Sequence, residues 1–174
     1  LHALPWTDAA REWCLRVQSL RHWQPQEGWP DVSDESLLAT LENWLLPHLD
    51  GISRRSHLDK LELSQILNAM LDFPKQQALA QRAPTHLTVP TGNRYALAYS
   101  PGQAPALEVK LQEMFGLQQS PAVAGVPVVV HLLSPAGRPV AVTADLASFW
   151  KDGYKGVRVL DLATGEARVA HEPR

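Results

Sequence analysis

Few residue patterns in this chain could carry covalent chemistry, and each has a simpler structural explanation. Ser148-Phe149-Trp150-Lys151 has the Ser-x-x-Lys spacing in which a lysine can activate a serine, but the partner motifs of that enzyme class are missing. Asp59 and Glu62 stand three apart on a predicted helix and read as a solvated face rather than an acid–base pair. The histidines (His2, His22, His48, His57, His86, His131 and His171) are scattered, with no pair at metal-ligand spacing on one predicted helix. Cys14 is the single cysteine, which excludes an internal disulfide and a thiolate zinc cluster. It lies on an apolar helix face and reads as a small buried hydrophobe. The sequence has no phosphate-cradling Gly-x-x-x-x-Gly-Lys-Ser/Thr, no Gly-x-Gly-x-x-Gly, no Gly-x-Ser-x-Gly and no His-Glu-x-x-His. No constellation supports a free-standing enzyme.

Binding chemistry is better represented. Arg94, Lys110 and Arg138 each fall on a predicted strand or strand edge. Cations on one sheet face can hold phosphates, and Tyr95 or Tyr99 would offer stacking surfaces. Solubilising charges on edge strands look the same in a sequence. Arg21-His22-Trp23 is a weaker stacking candidate, because the tryptophans read first as packing: Trp13 and Trp44 lie on apolar helical stripes. The formal net charge of -2 and the pI near 6.4 sit far below the basic balance of a domain that grips nucleic acid through charge alone. With 45% hydrophobic and 20% charged residues, the chain is expected to fold into a globular core. No apolar run approaches the length of about 20 that spans a bilayer, so no membrane partner is expected. The first residue is Leu1 and no leader follows it, which leads us to expect a processed chain or a piece of a larger one.

The elements that must position these residues change type midway. Residues 1–84 carry eight basic against eleven acidic residues, and five of the six tryptophans lie within the first 44 positions. Residues 85–174 carry eight basic against seven acidic, and are richer in glycine and valine. Pro84 marks the change and divides the chain into a helical part, 1–84, and a β-rich part, 85–174.

Ala9, Trp13, Val17 and Leu20 recur at helical spacing, with Thr7 or Asp8 as the cap. A second helix is predicted from Ser33, with Asp34 and Glu35 in its first turn and Val32 stapled to Leu37; its stripe of Leu37, Leu41, Trp44 and Leu45 runs to Pro47. A third follows Ser56, with Leu58, Leu61, Ile66, Leu67, Met70 and Leu71, and a short fourth runs from Pro74 to Leu79. Such short connections favour a small helical bundle.

Thr85–Val89 and Tyr95–Tyr99 then alternate around Pro90-Thr91-Gly92-Asn93, a hairpin pattern. Ala106–Leu111 reads as extended, and Gln112–Gly116 as one helical turn. Val126–Leu133 reads as one buried strand, turned by Ser134–Gly137 into Arg138–Thr143. Thr143 or Asp145 would cap a short helix through Trp150, and Val157–Leu162 with Ala167–Ala170 would form a last hairpin. The expected fold class is α+β, a helical bundle segment followed by a small OB-like barrel or open sheet.

Several blocks in fixed order carry a family resemblance. They are Gly28-Trp29-Pro30-Asp31-Val32-Ser33-Asp34 with Leu37–Leu41 and Trp44–Pro47; Pro84–Gly92; Leu111–Leu117; and Leu132–Pro135 with Arg138-Pro139 and Thr143-x-Asp145-Leu146-x-x-Phe149-Trp150. Over about residues 10–155 the chain resembles the C-terminal portion of the HrpB family of bacterial DEAH/DExH-box ATP-dependent RNA helicases. The resemblance implies the back end of a cytoplasmic motor whose two RecA-like domains, outside this chain, hold ATP and Mg. It implies no cofactor and no catalytic activity for this chain. The role it implies is to complete the channel for single-stranded RNA and couple strand passage to the motor, with weak RNA binding by this piece alone.

Carried over by position, Thr85 and His86 begin the first strand, and Thr91, Gly92 and Arg94 form a hairpin edge facing RNA. Gln112 and Arg138 are second choices, with Lys110 a further candidate, while Phe149 and Trp150 pack the final helix. From about Gly156 the chain departs from the family's usual basic ending. The competing reading is a protein-interaction or structural module that docks on the motor without touching RNA, which suits the near-neutral charge and the acidic, Trp-rich first half.

Overall fold

The structure, a computed structural model, describes residues 4–49 and 61–154. The expected start of the third helix at Ser56, the final hairpin and the departure from Gly156 lie outside the described residues. The fold is α+β, helices followed by small sheets, in agreement with the change of period at midchain. Residues Leu1–Ala83 with Tyr99–Gln103 make one compact unit, and Pro84–Ala98 with Ala104–Arg174 another.

In the helical unit, α1 (Asp8–Trp23) begins where the Thr7 hydroxyl accepts from the Ala10 amide. Its buried face is Ala10, Trp13, Val17 and Leu20. Ala9, expected on that face, is exposed, because the stripe starts one position later. The second predicted helix is broken in two, α2 (Asp34–Ala39) and α3 (Leu41–Trp44). Ser33 caps α2 by accepting from the Ser36 amide. The break is local chemistry. The Thr40 hydroxyl donates back to the Ser36 carbonyl at 2.7 Å, and Thr40 leaves helical geometry at φ -112°, ψ 18°. A 3₁₀ turn at Leu46–His48 takes in Pro47. α4 (Leu63–Asn68) buries Leu63, Ile66 and Leu67. α5 (Phe73–Arg82) starts with Asp72 accepting from the Lys75 amide and Pro74 in its first turn.

The core gathers these stripes together with Leu37, Trp44, Leu45, Leu71 and Leu79. Trp13 and Trp44 are anchored through their indole N–H groups, as buried tryptophans usually are. Trp13 donates to Asn68 at 3.1 Å and Trp44 to the Leu37 carbonyl at 2.9 Å. Arg16 closes the end of α5. Its Nε donates to the Ala83 carbonyl at 2.6 Å and its Nη2 to the Leu79 carbonyl at 3.3 Å. Burial pulls this guanidinium below its ordinary value. Tyr99 is buried in this unit with its ring 6.3 Å from Trp23, so it is not the stacking surface its strand pattern suggested.

In the second unit, β1 (His86–Thr88) and β2 (Arg94–Ala96) form an antiparallel hairpin, and Gly92 takes the positive φ of 91° that its turn needs. β3 (Ala106–Lys110) leads into a 3₁₀ turn at Leu111–Met114. The run 126–133 is not one strand. Pro127 has no N–H to continue a ladder, so β5 (Val126–Pro127) pairs with β4 (Ala122–Val123) in a separate hairpin. β6 (Val129–Leu133) then enters a three-stranded sheet between β3, which runs parallel to it, and β7 (Pro139–Thr143), which runs antiparallel. Among the described residues the strands therefore divide into one mixed sheet and two hairpins rather than an OB-like barrel.

Leu107, Val109, Val130 and Leu132 point inward and are almost fully buried. Asp145 caps α6 (Leu146–Ser148) by accepting from the Ser148 amide, and a π-helical turn follows at Phe149–Gly153. Phe149 and Trp150 are buried as expected, in an aromatic cluster with Phe115 and Tyr154, and the Trp150 indole donates to the Leu117 carbonyl at 2.7 Å.

Candidate nucleic-acid interface

Strand register brings several polar residues to one outer face of the β unit. In a strand, alternate side chains share a face. β1 and β2 pair His86 with Ala96 and Thr88 with Arg94. Ala98 and Ala106 bridge antiparallel, each amide donating to the other's carbonyl at 2.9 Å. Beyond that single bridge β2 and β3 belong to separate sheets, and Ala96 and Glu108 meet only as walls of one groove. In the parallel pairing of β3 with β6, Glu108 stands beside His131, whose partner in β7 is Val142. The three-stranded sheet thus carries Glu108, His131 and Val142 in a row with Lys110 two residues along β3, and the β1–β2 hairpin carries His86, Ala96 and Arg94. All of these are exposed except His131, which is half-buried. A groove of about 360 Å³ runs along the row, lined by Tyr95, Ala96, Ala98, Ala106, Glu108 and His131.

Of the seven residues singled out from the sequence, Lys110 shares the strand face of Glu108, and His86 and Arg94 are exposed on the β1–β2 hairpin. Thr91 and Gly92 form the exposed hairpin tip, but the Thr91 hydroxyl donates to the carboxylate of Glu113 in the 3₁₀ turn. The Asn93 amide donates to the same carboxylate at 3.2 Å, and the Tyr95 hydroxyl bonds to it as well. These donors, Thr91 foremost, hold the Glu113 carboxyl below the ordinary glutamate value. The tip therefore presents a tethered carboxylate as well as backbone amides. Gln112 turns its side-chain oxygen inward, where it is buried. Arg138 is exposed in the turn before β7, where its amide donates to the Ser134 hydroxyl at 3.2 Å.

The sequence reading missed Glu108, His131 and Glu113. The alternation Ala106-Leu107-Glu108-Val109-Lys110, with its apolar residues at odd positions, does put Glu108 on the face of Lys110. Nothing local indicates that His131 stands next to it.

The remaining candidates do not assemble. Ser148 donates its hydroxyl to Asp145 at 2.8 Å rather than engaging Lys151. Arg21 and His22 are exposed beside a half-buried Trp23. Cys14 has its thiol pushed up to about 12, mainly by burial and further by Asp34. Among the described residues there is no cluster of three or more groups able to hold a metal ion, and no helix long and apolar enough to cross a membrane.

Comparison with known proteins gives concordant matches. Residues 44–163 match the family described as ATP-dependent helicase C-terminal, HrpB_C. The chain is 46% identical over 160 residues to the ATP-dependent RNA helicase HrpB of Escherichia coli strain K12, which covers 91% of this chain and 20% of the relative. A crystal structure of the E. coli DExH-box NTPase HrpB superposes with a TM-score of 0.90 at 41% identity, over 99% of this chain and 22% of that one. A second, of the E. coli DEAH/RHA helicase HrpB, gives a TM-score of 0.79 at 44% identity, over 89% and 20%. The chain spans about a fifth of the length of these relatives.

Proposed function

The chain belongs to the C-terminal region of the HrpB family of ATP-dependent helicases, and from that position we propose that it binds single-stranded RNA weakly and helps to couple the strand to an ATP-driven motor. The observation that carries this reading is the outer face of the β unit, where a groove lined by Ala96, Glu108 and His131 adjoins the strand that bears Lys110, with His86 and Arg94 exposed on the β1–β2 hairpin. Cations of this kind position phosphates, and imidazoles and small side chains accept bases. The face also holds Glu108, and Glu113 lies close by at the hairpin tip, so the net attraction is small and the affinity low.

ATP and Mg, in this reading, belong to RecA-like domains of the whole protein, and the chain itself takes no cofactor. The setting is the bacterial cytoplasm. The test is anisotropy of a labelled RNA oligonucleotide across a salt series. Binding should be weak and fall with salt. Salt-independent binding, or none at low salt even with the motor domains restored, would overturn the proposal.

A second reading has its own observation. The helical unit exposes three large apolar side chains, Leu38 (57%), Leu46 (56%) and Phe73 (70%). These residues suit docking on the motor domains. Capture of separately expressed motor domains by the chain, lost on Phe73→Ser with Leu46→Ser, would support it.

A further inference from the structure

The groove on the β unit can do more than accept any base. We propose that it reads guanine, with Glu108 as the residue that sets the preference; the proposal rests on the single-stranded RNA reading above. Three alanines, Ala96, Ala98 and Ala106, line the groove and stop at Cβ, which leaves a flat apolar floor and a space of about 360 Å³ that no side chain of the protein fills. A planar ring fits such a space.

The polar groups at its rim are unequal. Glu108 offers two acceptor oxygens and no positive charge, and it stands beside the His131 imidazole, which supplies a second flat surface. A carboxylate beside a base slot selects for donors. Guanine presents N1–H and the N2 amino group side by side and can meet both oxygens at once. Cytosine and adenine offer one exocyclic amino group, and uracil one ring N–H. The order expected is guanine first and uracil last.

The neighbouring charges favour a nucleotide over the alternative occupant of an acidic slot, an arginine side chain of a protein. Lys110 lies two residues from Glu108 on the same face of β3, Arg94 stands on β2, whose Ala96 lines the groove, and both cations are exposed. They would repel a basic peptide and receive the phosphate of a nucleotide whose base lies in the groove. Two cations and one carboxylate thus divide the face into a phosphate side and a base side.

The test compares a labelled oligouridine, the same strand with one internal guanine, and the same strand with inosine there, which lacks the N2 amino group. For the unaltered chain at low salt, the guanine strand should bind about fivefold or more tighter than oligouridine, with inosine between them. Glu108→Gln should erase the guanine advantage and leave oligouridine binding equal or stronger, since a negative charge is removed. Ala96→Leu, which fills the groove, should also erase it without abolishing salt-dependent binding. A guanine preference that survives Glu108→Gln, or equal binding of all three strands, overturns this inference and leaves the RNA reading standing. No binding of any strand overturns the RNA reading itself. An arginine-rich peptide that binds more tightly than the guanine strand, and is lost in Glu108→Gln, assigns the groove to a protein partner and also overturns it.

Discussion

Thr91, at the tip of the β1–β2 hairpin, donates its hydroxyl to Glu113 in the 3₁₀ turn that follows β3. With Asn93 and Tyr95 on the same carboxylate, the tip is held by a charged acceptor distant in sequence. Such a tether depends on ionisation.

Two carboxyls near the surface then set a pH dependence. Asp31 is pulled down to about 2, chiefly by the Ser33 amide at 3.0 Å, and Glu113 is also lowered. A carboxyl whose folded value is depressed contributes stability that is present above its unfolded value, near 4, and is lost as pH falls through the folded value. Urea midpoints should be flat from neutral pH down to about 5 and fall below that. The double variant Asp31→Asn, Glu113→Gln should flatten part of that fall. An unchanged acid profile would show that neither contact matters to stability. Both groups are largely solvated, so the effect should be modest.

Arg16 predicts a larger effect. Its guanidinium satisfies the Ala83 and Leu79 carbonyls at the end of α5. Arg16→Met keeps the buried stem and removes both donors, leaving the Ala83 carbonyl without its partner while Leu79 still accepts from the Ala83 amide, at a cost of about 1–3 kcal/mol in urea unfolding. Arg16→Lys should not recover it fully, because an ammonium cannot reproduce the planar fork.

Arg94 and Lys110 should be equivalent in RNA binding. Each alanine variant should lower affinity on all sequences and reduce the slope of log affinity against log salt by about 0.7 for a single strand. Gln112→Ala should leave the slope unchanged, since its side-chain oxygen is buried. A slope that moves with Gln112 and not with Arg94 or Lys110 would place the RNA elsewhere.

Cys14 should react slowly in the folded chain. With its thiol pushed up to about 12, thiolate is scarce at pH 8, and disulfide-exchange reagents should react far more slowly than with an unfolded cysteine. Rapid labelling of native protein would refute this. Addition of urea should expose the thiol and restore ordinary reactivity.

Much of the local structure was legible along the chain. The caps at Thr7 and Ser33, Pro74 in the first turn of α5, the Pro90–Asn93 hairpin and the short helix capped at Asp145 are all short-range features. Each depends on residues within about four positions of one another, and spacing alone reports it. Two breaks were equally local yet were overlooked. Thr40 and Pro127 each interrupt an apolar run that otherwise predicts one continuous element, because periodicity weighs side-chain polarity and neglects backbone hydrogen bonding.

What the sequence by itself determined was the division into helical and β-rich parts, the inward residues of most elements, the scarcity of catalytic motifs and the family. Tertiary structure alone decided who stands beside whom. The parallel pairing of β3 with β6 sets Glu108 against His131 across 23 residues, and the hairpin fold sets Thr91 against Glu113 across 22. Alternation tells which face a residue takes but carries no information about which strand lies next to it. Register does, and register is set by the burial of Leu107, Val109, Val130 and Leu132 in a common core.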